Sequence, residues 1–489
     1  MSWFAMRDSS KSEAPLPLRI LVPLIVACAL FMENLDATVL STALPAIAKD
    51  LHEDPIQLKL ALTSYLLTLA VFIPASGWLA DRFGARLIFR LAIIIFAIGS
   101  ACCGFARSIE FLVMARALQG VGGAMMVPVG RLVILRTVPR SEIVGALAWL
   151  TIPALIGPVI GPPIGGLIAT YFTWRWIFWI NLPIAALGLV LASLFIPNVF
   201  GEEMAPFDFA GFLFSGFGLS ALVSASAALD ANVDSPLLVA ALFAVGIAGI
   251  VLYVRHARRT AAPILDLDLL RYATFRAGAL GGSLFRIGVG AVPLLLPLLL
   301  QLGFGFSPLR SGLLTFVTAL GAIGMKVAAA KVLQKWGFRR VLIFNSVVSA
   351  VFIAAPAAFT PAMPALLMVV VLFVGGFFRS LEFTCINAIS YAEIEQPKMS
   401  AATSLQSVLQ QVSLSLGVTV GASALQLTMA FHNRINLTEV DFWPAFLVIG
   451  AISFLATFSF ARLSEYAGEE LAGRKQSGSV QVNISNARS

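Results

Sequence analysis

The chain has 489 residues, of which 59% are hydrophobic and only 12% charged; a soluble protein of this length carries about 25% charged residues. With a mean hydropathy of +0.92, this composition excludes a soluble globular protein and describes a polytopic, all-α membrane protein. The net charge of +8 is not a nucleic-acid signal, because the basic residues recur in short loops between apolar spans rather than on one face. Apolar segments of 18 or more residues fall near 20–48, 56–80, 87–106, 110–136, 143–171 and 175–197, then 208–229 and 236–254, then 277–302, 309–333, 340–360, 363–391, 401–430 and 442–463. The spacing predicts fourteen transmembrane helices: an N-terminal six-helix bundle (1–198), two linking helices with a basic connector (199–276), a C-terminal six-helix bundle (277–464) and a polar tail (465–489). An even count puts both termini on one side. Arg7, Lys11, Arg82, Arg86, Arg90, Arg136, Arg140, Arg255, Arg258, Arg259, Arg339, Arg340, Arg474 and Lys475 share that side, which makes it cytoplasmic. The acidic connector with Glu202, Glu203 and Asp208 runs against this bias but does not reverse it. The polar run Met1–Leu18 lacks the pattern of a removable signal peptide.

The first span carries Phe31-Met32-Glu33-Asn34-Leu35-Asp36-Ala37-Thr38-Val39. Three residues separate Glu33 from Asp36, so a helix sets both carboxylates on one face. A charge at the bilayer centre costs roughly 2.5–3.5 kcal/mol, so such groups face a cavity or a partner. Two readings stand: the acids lock helices together through Arg partners, or at least Asp36 takes up and releases a proton. Between the second and third spans lies Gly77-Trp78-Leu79-Ala80-Asp81-Arg82-Phe83-Gly84-Ala85-Arg86. Between spans ten and eleven, Gln334-Lys335-Trp336-Gly337-Phe338-Arg339 echoes it, with Gly84 matching Gly337, Arg86 matching Arg339 and Asp81 replaced by Gln334. This repetition argues for an internal duplication, as in many secondary transporters. Each Gly permits a sharp turn at the membrane surface, and the acid and bases can form a state-dependent latch.

Span four places Arg116 about seven residues from its outer end, roughly 10 Å deep. Asp36 is at comparable depth, so the two form a natural ion pair that protonation of Asp36 would release. The run Gly120, Gly122, Gly123 is read as close helix packing. Span five carries Gly157-Pro158-Val159-Ile160-Gly161-Pro162-Pro163-Ile164-Gly165-Gly166; a membrane helix tolerates this as a kinked element with a bare face. Trp174, Trp176 and Trp179 follow at the outer interface, as an aromatic belt requires. The four cysteines lie in apolar segments and the three histidines in loops. No disulfide framework, metal site or cofactor is therefore expected, and intramembrane proton chemistry falls to carboxylates.

Taken together, Leu35-Asp36-Ala37-Thr38, the Gly77–Arg86 loop, the Arg116–Gly123 stretch, the Gly157–Gly166 run and Trp174–Pro183 resemble the major facilitator superfamily. More narrowly the chain resembles its fourteen-helix drug:proton antiporter branch of EmrB/QacA type, and its middle and second half (His256–Thr260, Gln301–Gly305) look closest to the MdtD-like subgroup. The resemblance implies proton coupling at Asp36 and Arg116, to which the shared helix face adds Glu33; a conformational switch at Gly77, Asp81, Arg82, Gly84 and Arg86; and an antiporter motif at Gly157, Pro158, Gly161, Pro162, Gly165 and Gly166.

The second half has charges of its own. Arg286, Lys326, Arg379 and Glu382 lie at one depth in spans nine, ten and twelve. If span nine corresponds to span one and span twelve to span four, Arg286 and Glu382 form a reversed ion pair. The spare bases then either snorkel toward the cytoplasm or draw an organic anion, which Arg holds bidentately. Proton-coupled export of drug-like compounds or organic anions by alternating access is the reading these features support, with proton-coupled uptake of a small metabolite as the alternative. No constellation of nucleophile and base points to an enzyme. The partners implied are a small-molecule substrate, protons and the lipid bilayer, with no nucleic acid; a periplasmic adaptor is left open.

Overall fold

A computed structural model describes residues 16–138, 143–200, 206–230, 235–434 and 436–471. Arg7, Lys11, Arg140, Glu202, Glu203, Arg474 and Lys475 lie outside the described residues, as does the tail beyond 471. Thirteen helices among the described residues are long and apolar enough to cross a membrane, and the 29-residue helix Ile143–Tyr171 is the fourteenth. The first six are α1 (Leu16–Leu51), α2 (Lys59–Phe83), α3 (Ala85–Gly104), α4 (Ile109–Thr137), α5 (Ile143–Tyr171) and α6 (Trp176–Phe195, broken at Ile180). Next come α7 (Phe209–Asp230) and α8 (Pro236–Ala257). The last six are α9 (Ala273–Leu298), α10 (Pro308–Trp336), α11 (Phe338–Ala354), α12 (Ala365–Ile389), α13 (Met399–Phe431) and α14 (Phe442–Ala461).

The helices pack as two repeated bundles. In the first, α1 lies along α5 and α6, while α3 lies against α4 and α6. In the second, α9 lies along α13 and α14, while α11 lies against α12 and α14. The bundles meet through two matching contacts, α2 on α13 and α5 on α10. The hairpin α7–α8 sits beside the α2–α13 contact. Side chains such as Met114, Leu194, Phe217, Leu237, Leu366, Leu427 and Phe431 are largely exposed on the outer faces, an arrangement that water would penalise and hydrocarbon does not.

The duplication is visible in the two equivalent loops. Gly84 and Gly337 both adopt positive φ, 94° and 74°, where an L side chain would be strained. Each ends one helix and starts the next, its N–H capping Ala80 O at 3.0 Å or Leu333 O at 2.9 Å. Arg86 then donates to Ser193 O at the end of α6, and Arg339 to Ala461 O at the end of α14, at 3.2 Å. The same residue in each half therefore ties the third helix of its bundle to the sixth.

The end carrying these loops is called here the basic end, and the opposite one the far end. At the far end a single apolar core runs through both halves, joining Val39, Leu44 and Ile47 of α1 with Leu294, Leu295 and Leu298 of α9. Gln301 donates to Thr42 O (2.8 Å), and Leu309 N–H to Thr170 Oγ1 (3.1 Å), across the same seam. Toward the basic end the first bundle has a separate core, built on Ile25, Phe89, Phe96 and Met126. The halves are thus closed on each other at the far end.

The connector is tied down by Asp208, which accepts from His256 Nε2 at 2.6 Å, Gly211 N–H at 2.9 Å and Ile264 N–H at 3.1 Å. Burial works against its charge, but these donors outweigh it and hold its carboxyl below the ordinary carboxylate range. One side chain thus fastens the entry to α7 to the exit from α8.

Candidate functional site

Asp36 lies in the middle of α1 and is 1% exposed. Arg116 Nη1 of α4 donates to its Oδ2 at 2.5 Å. Gln119 Nε2, one turn further along α4, donates to Oδ1 at 2.9 Å, and Asn181 Nδ2, just after the break in α6, donates to the same oxygen at 2.9 Å. Arg116, also 1% exposed, donates further to Gln119 Oε1 from Nη1 (2.7 Å) and to Ala61 O from Nε (3.2 Å). Its guanidinium sits 4.3 Å from the Tyr65 ring centroid. Behind Asn181 the network continues to Ser100 Oγ (3.0 Å) and from there to Phe178 O (2.9 Å).

Three donors, one of them a guanidinium, thus converge on the two oxygens of one buried carboxylate. Adding a proton to Asp36 would remove its attraction for Arg116 and leave a buried cation to find another acceptor. Small residues let the helices come close enough for this. Gly99 of α3 faces Gln119 so tightly that a Cβ there would lie 2.6 Å from the Gln119 backbone, and one on Gly120 would lie 2.9 Å from Tyr65 O. Gln119 and Asn181 were not singled out from sequence, although Gln119 stands one turn after Arg116. Asn181 sits in the stretch read as an interfacial anchor. That reading is corrected for Trp174, which is 4% exposed and donates to Asp50 (3.0 Å), beside an Arg175–Asp50 pair at 2.8 Å.

Glu33 lies one turn closer to the basic end. Among the described residues its Oε2 is buried with no hydrogen-bond partner, and Arg131 of α4 is an opposing charge close enough to interact with it, an exposed residue that sequence reading passed over. Arg131 also interacts electrostatically with Tyr391, two residues beyond α12, as does Arg286 of α9. Glu33 and Arg131 of the first bundle and Tyr391 and Arg286 of the second thus lie near one another on the basic side of Asp36.

The glycines of α5 meet α1 at every fourth residue. A Cβ on Gly157 would touch Leu35 N and Phe31 O at 3.0 and 3.1 Å; one on Gly161 would strike Thr38, and one on Gly165 would strike Thr42 and Val39 O. Gly166 and Pro162 instead face α10, against Pro308 and Gly312. One run therefore packs on both the Asp36 helix and the second bundle. At the basic end Asp81 pairs with Arg136 of α4 at 2.7 Å.

In the second bundle the structure separates what depth alone had grouped. Arg286 and Glu382 do not pair. Arg286 donates to Asn387 Oδ1 at 3.0 Å, and Gln406, with its amide oxygen turned to the guanidinium, accepts at 3.2 and 3.1 Å. Glu382 instead accepts from Asn345 Nδ2 of α11 at 2.6 Å. Arg379 lines a narrow crevice with Val292, Leu296, Phe352 and Gly375, and Lys326 is exposed on α10. The reason is rotational: residues at one depth on three helices share a height, not a face.

Comparison with known proteins places this geometry among transporters. The family model described as Major Facilitator Superfamily matches residues 26–254 and 278–484. The "Putative multidrug resistance protein MdtD" of Escherichia coli O6:H1 (strain CFT073) is 38% identical over 464 residues, covering 94% of this chain and 97% of the relative; that of strain K12 has the same identity and coverage. Among solved structures, a D-xylose-proton symporter aligns with TM-score 0.63 at 15% identity, covering 92% of this chain and 98% of its own. The human organic anion transporter MFSD10 aligns with TM-score 0.60 at 16% identity, covering 91% and 100%. At such identity these two structures establish the fold alone.

Proposed function

The chain belongs to the major facilitator superfamily, and we propose that it exports small organic molecules, drug-like compounds or organic anions, across the cytoplasmic membrane in exchange for protons. The observation that carries this reading is the buried Asp36 carboxylate held by Arg116, Gln119 and Asn181. It is a charge whose neutralisation rearranges contacts among α1, α4 and α6. The relatives' printed name, a multidrug resistance protein, supports export. The excess of Lys and Arg at the basic end supports placing that end and both termini in the cytoplasm. The far-end closure through Thr42–Gln301 and Thr170–Leu309 then makes this the cytoplasm-facing state. Arg131, and Arg286 with its partners Asn387 and Gln406, are groups suited to an anionic or polar substrate.

Everted membrane vesicles acidified by respiration test the assignment directly. A substrate added outside should be taken up while protons leave, so the internal pH rises in a manner that depends on the expressed protein. A proton movement of opposite sign would establish uptake by symport instead, and none with a transported solute would remove proton coupling altogether.

Within this reading the Asp81–Arg136 pair is a latch on the basic end of the first bundle. Both partners are about 30% exposed, so the pair is worth about 0.2–1 kcal/mol. Asp81→Asn should accordingly shift the balance between states by at most roughly fivefold. The expected result is an altered switching rate, read by fluorescence across the basic end, with substrate affinity within twofold of the parent. An equal loss of affinity and turnover would remove the latch role.

A further inference from the structure

Glu382 is fully buried on α12, and its hydrogen bond among the described residues is the one from Asn345, itself 0% exposed. Asn345 uses both amide hydrogens, one toward Glu382 Oε2 (2.6 Å) and one toward Phe378 O (2.9 Å), so the orientation of its amide is decided. Two atoms of this pair are left over. Glu382 Oε1 and Asn345 Oδ1 are both buried and both lack a partner. Both are acceptors when the carboxyl is ionised, and buried acceptors without donors are rare enough to require an explanation.

One proton supplies it. Protonated, a carboxyl gains an O–H donor while its other oxygen still accepts. A carboxylic acid and a primary amide then close a ring of two hydrogen bonds, N–H to acid C=O and O–H to amide C=O. The first of these is already formed, and the second would join the two orphaned atoms.

The surrounding charges leave the site to this solution. The titratable and charged groups on α12 and the helices packed against it are Arg379 and Cys385 of α12, Arg276 and Arg286 of α9, Arg310, Lys326, Lys331 and Lys335 of α10, and Arg339 and Arg340 of α11. Among the described residues none of these forms an ion pair with Glu382; Arg339 pairs with Glu465 (3.2 Å), and Arg286 is held by Asn387 and Gln406. Arg379, one turn before Glu382, has no hydrogen bond or ion pair among the described residues and lines the crevice at Gly375. An acid without a cation and a cation without an acid thus stand at i and i+3 on one helix, within reach of each other after a side-chain rotation.

We propose that Glu382 and Asn345 form a second proton-binding site: Glu382 is protonated in this state, donates to Asn345 Oδ1, and gives up that proton to water in the opposite state, where Arg379 takes the carboxylate. The protonation stands independently of any transport reaction, whereas the release step rests on the proton-coupled reading above.

The test uses the full chain in lipid nanodiscs and infrared difference spectroscopy. Glu382→Gln keeps the ring, because an amide N–H replaces the acid O–H, so folding and melting temperature should match the parent. The parent should show the C=O stretch of a protonated carboxyl at neutral pH. The band should disappear in Glu382→Gln and shift to the position of a free acid in Asn345→Leu. Arg379→Ala should keep the band and reduce the protons released per substrate in vesicles, because the ionised carboxylate loses the cation proposed to take it. In vesicles, Glu382→Gln should release about one proton fewer per substrate than the parent. Absence of a Glu382-dependent band at neutral pH overturns the protonated site. An unchanged proton count overturns the release step. A parent that releases no protons would instead fail the transport reading and the release step with it, while the band still decides the state of Glu382.

Discussion

Asp36→Asn should abolish proton-driven accumulation of substrate while leaving the protein inserted and able to exchange substrate down a gradient. One proton moving through 100 mV supplies about 2.3 kcal/mol, which is roughly a fortyfold concentration ratio at 1.4 kcal/mol per decade. A variant that cannot carry this proton should lose that entire ratio. Removing one partner of a buried pair ordinarily costs about 3–5 kcal/mol, and it is the surroundings of Arg116 that keep this substitution from simply unfolding the chain. The guanidinium retains Gln119 Oε1 and Ala61 O and the face of Tyr65. Asparagine also preserves the shape at position 36 and an oxygen for Gln119 or Asn181. Folded yield should therefore fall only moderately, measured by size-exclusion profile, while accumulation in energised vesicles falls to the level of vesicles without the protein. Accumulation equal to the parent's would remove Asp36 from the coupling mechanism.

Substitution in the α5 glycine run should produce the second large effect, and the structure distinguishes two positions in it. Overpacking a tight interface costs about 1–3 kcal/mol, and here the helix that must yield carries Asp36. At Gly161 an added methyl strikes the Thr38 side chain, with the nearest backbone atom, Val39 N, 3.4 Å away. At Gly165 it meets Thr42 and also the backbone Val39 O at 2.5 Å. Gly161→Ala should lower the melting temperature and transport rate, and adding Thr38→Ala should recover part of both, because it removes the hydroxyl in the way. Gly165→Ala should lose more, and adding Thr42→Ala should recover little, since a carbonyl on a helix cannot be trimmed. Equal rescue at both positions, measured by thermal melting in the same detergent, would mean that the backbone approach at Gly165 does not limit the packing.

Helix number, the paired halves and the basic end could all be read from the amino-acid order, because each is a one-dimensional signal. Length and apolarity decide what crosses a bilayer, loop charge decides sidedness, and Gly84 and Gly337 mark the same turn twice. The Asp36–Arg116 contact was legible for a related reason: both are costly in hydrocarbon, and both lie at similar depth from the far end. Depth was not enough elsewhere. Arg286 and Glu382 share a height as well, yet one turns to Asn387 and Gln406 and the other to Asn345. The neutral amides that settle these partnerships, Gln119, Asn181, Asn345 and Gln406, carry no charge to attract notice in a linear reading. Their importance arises only when folding removes water and makes every donor and acceptor find a partner. The sequence by itself determined which groups must enter the membrane at a cost; the rotation of each helix about its axis, set by side-chain packing across the whole bundle, decided which of them meet.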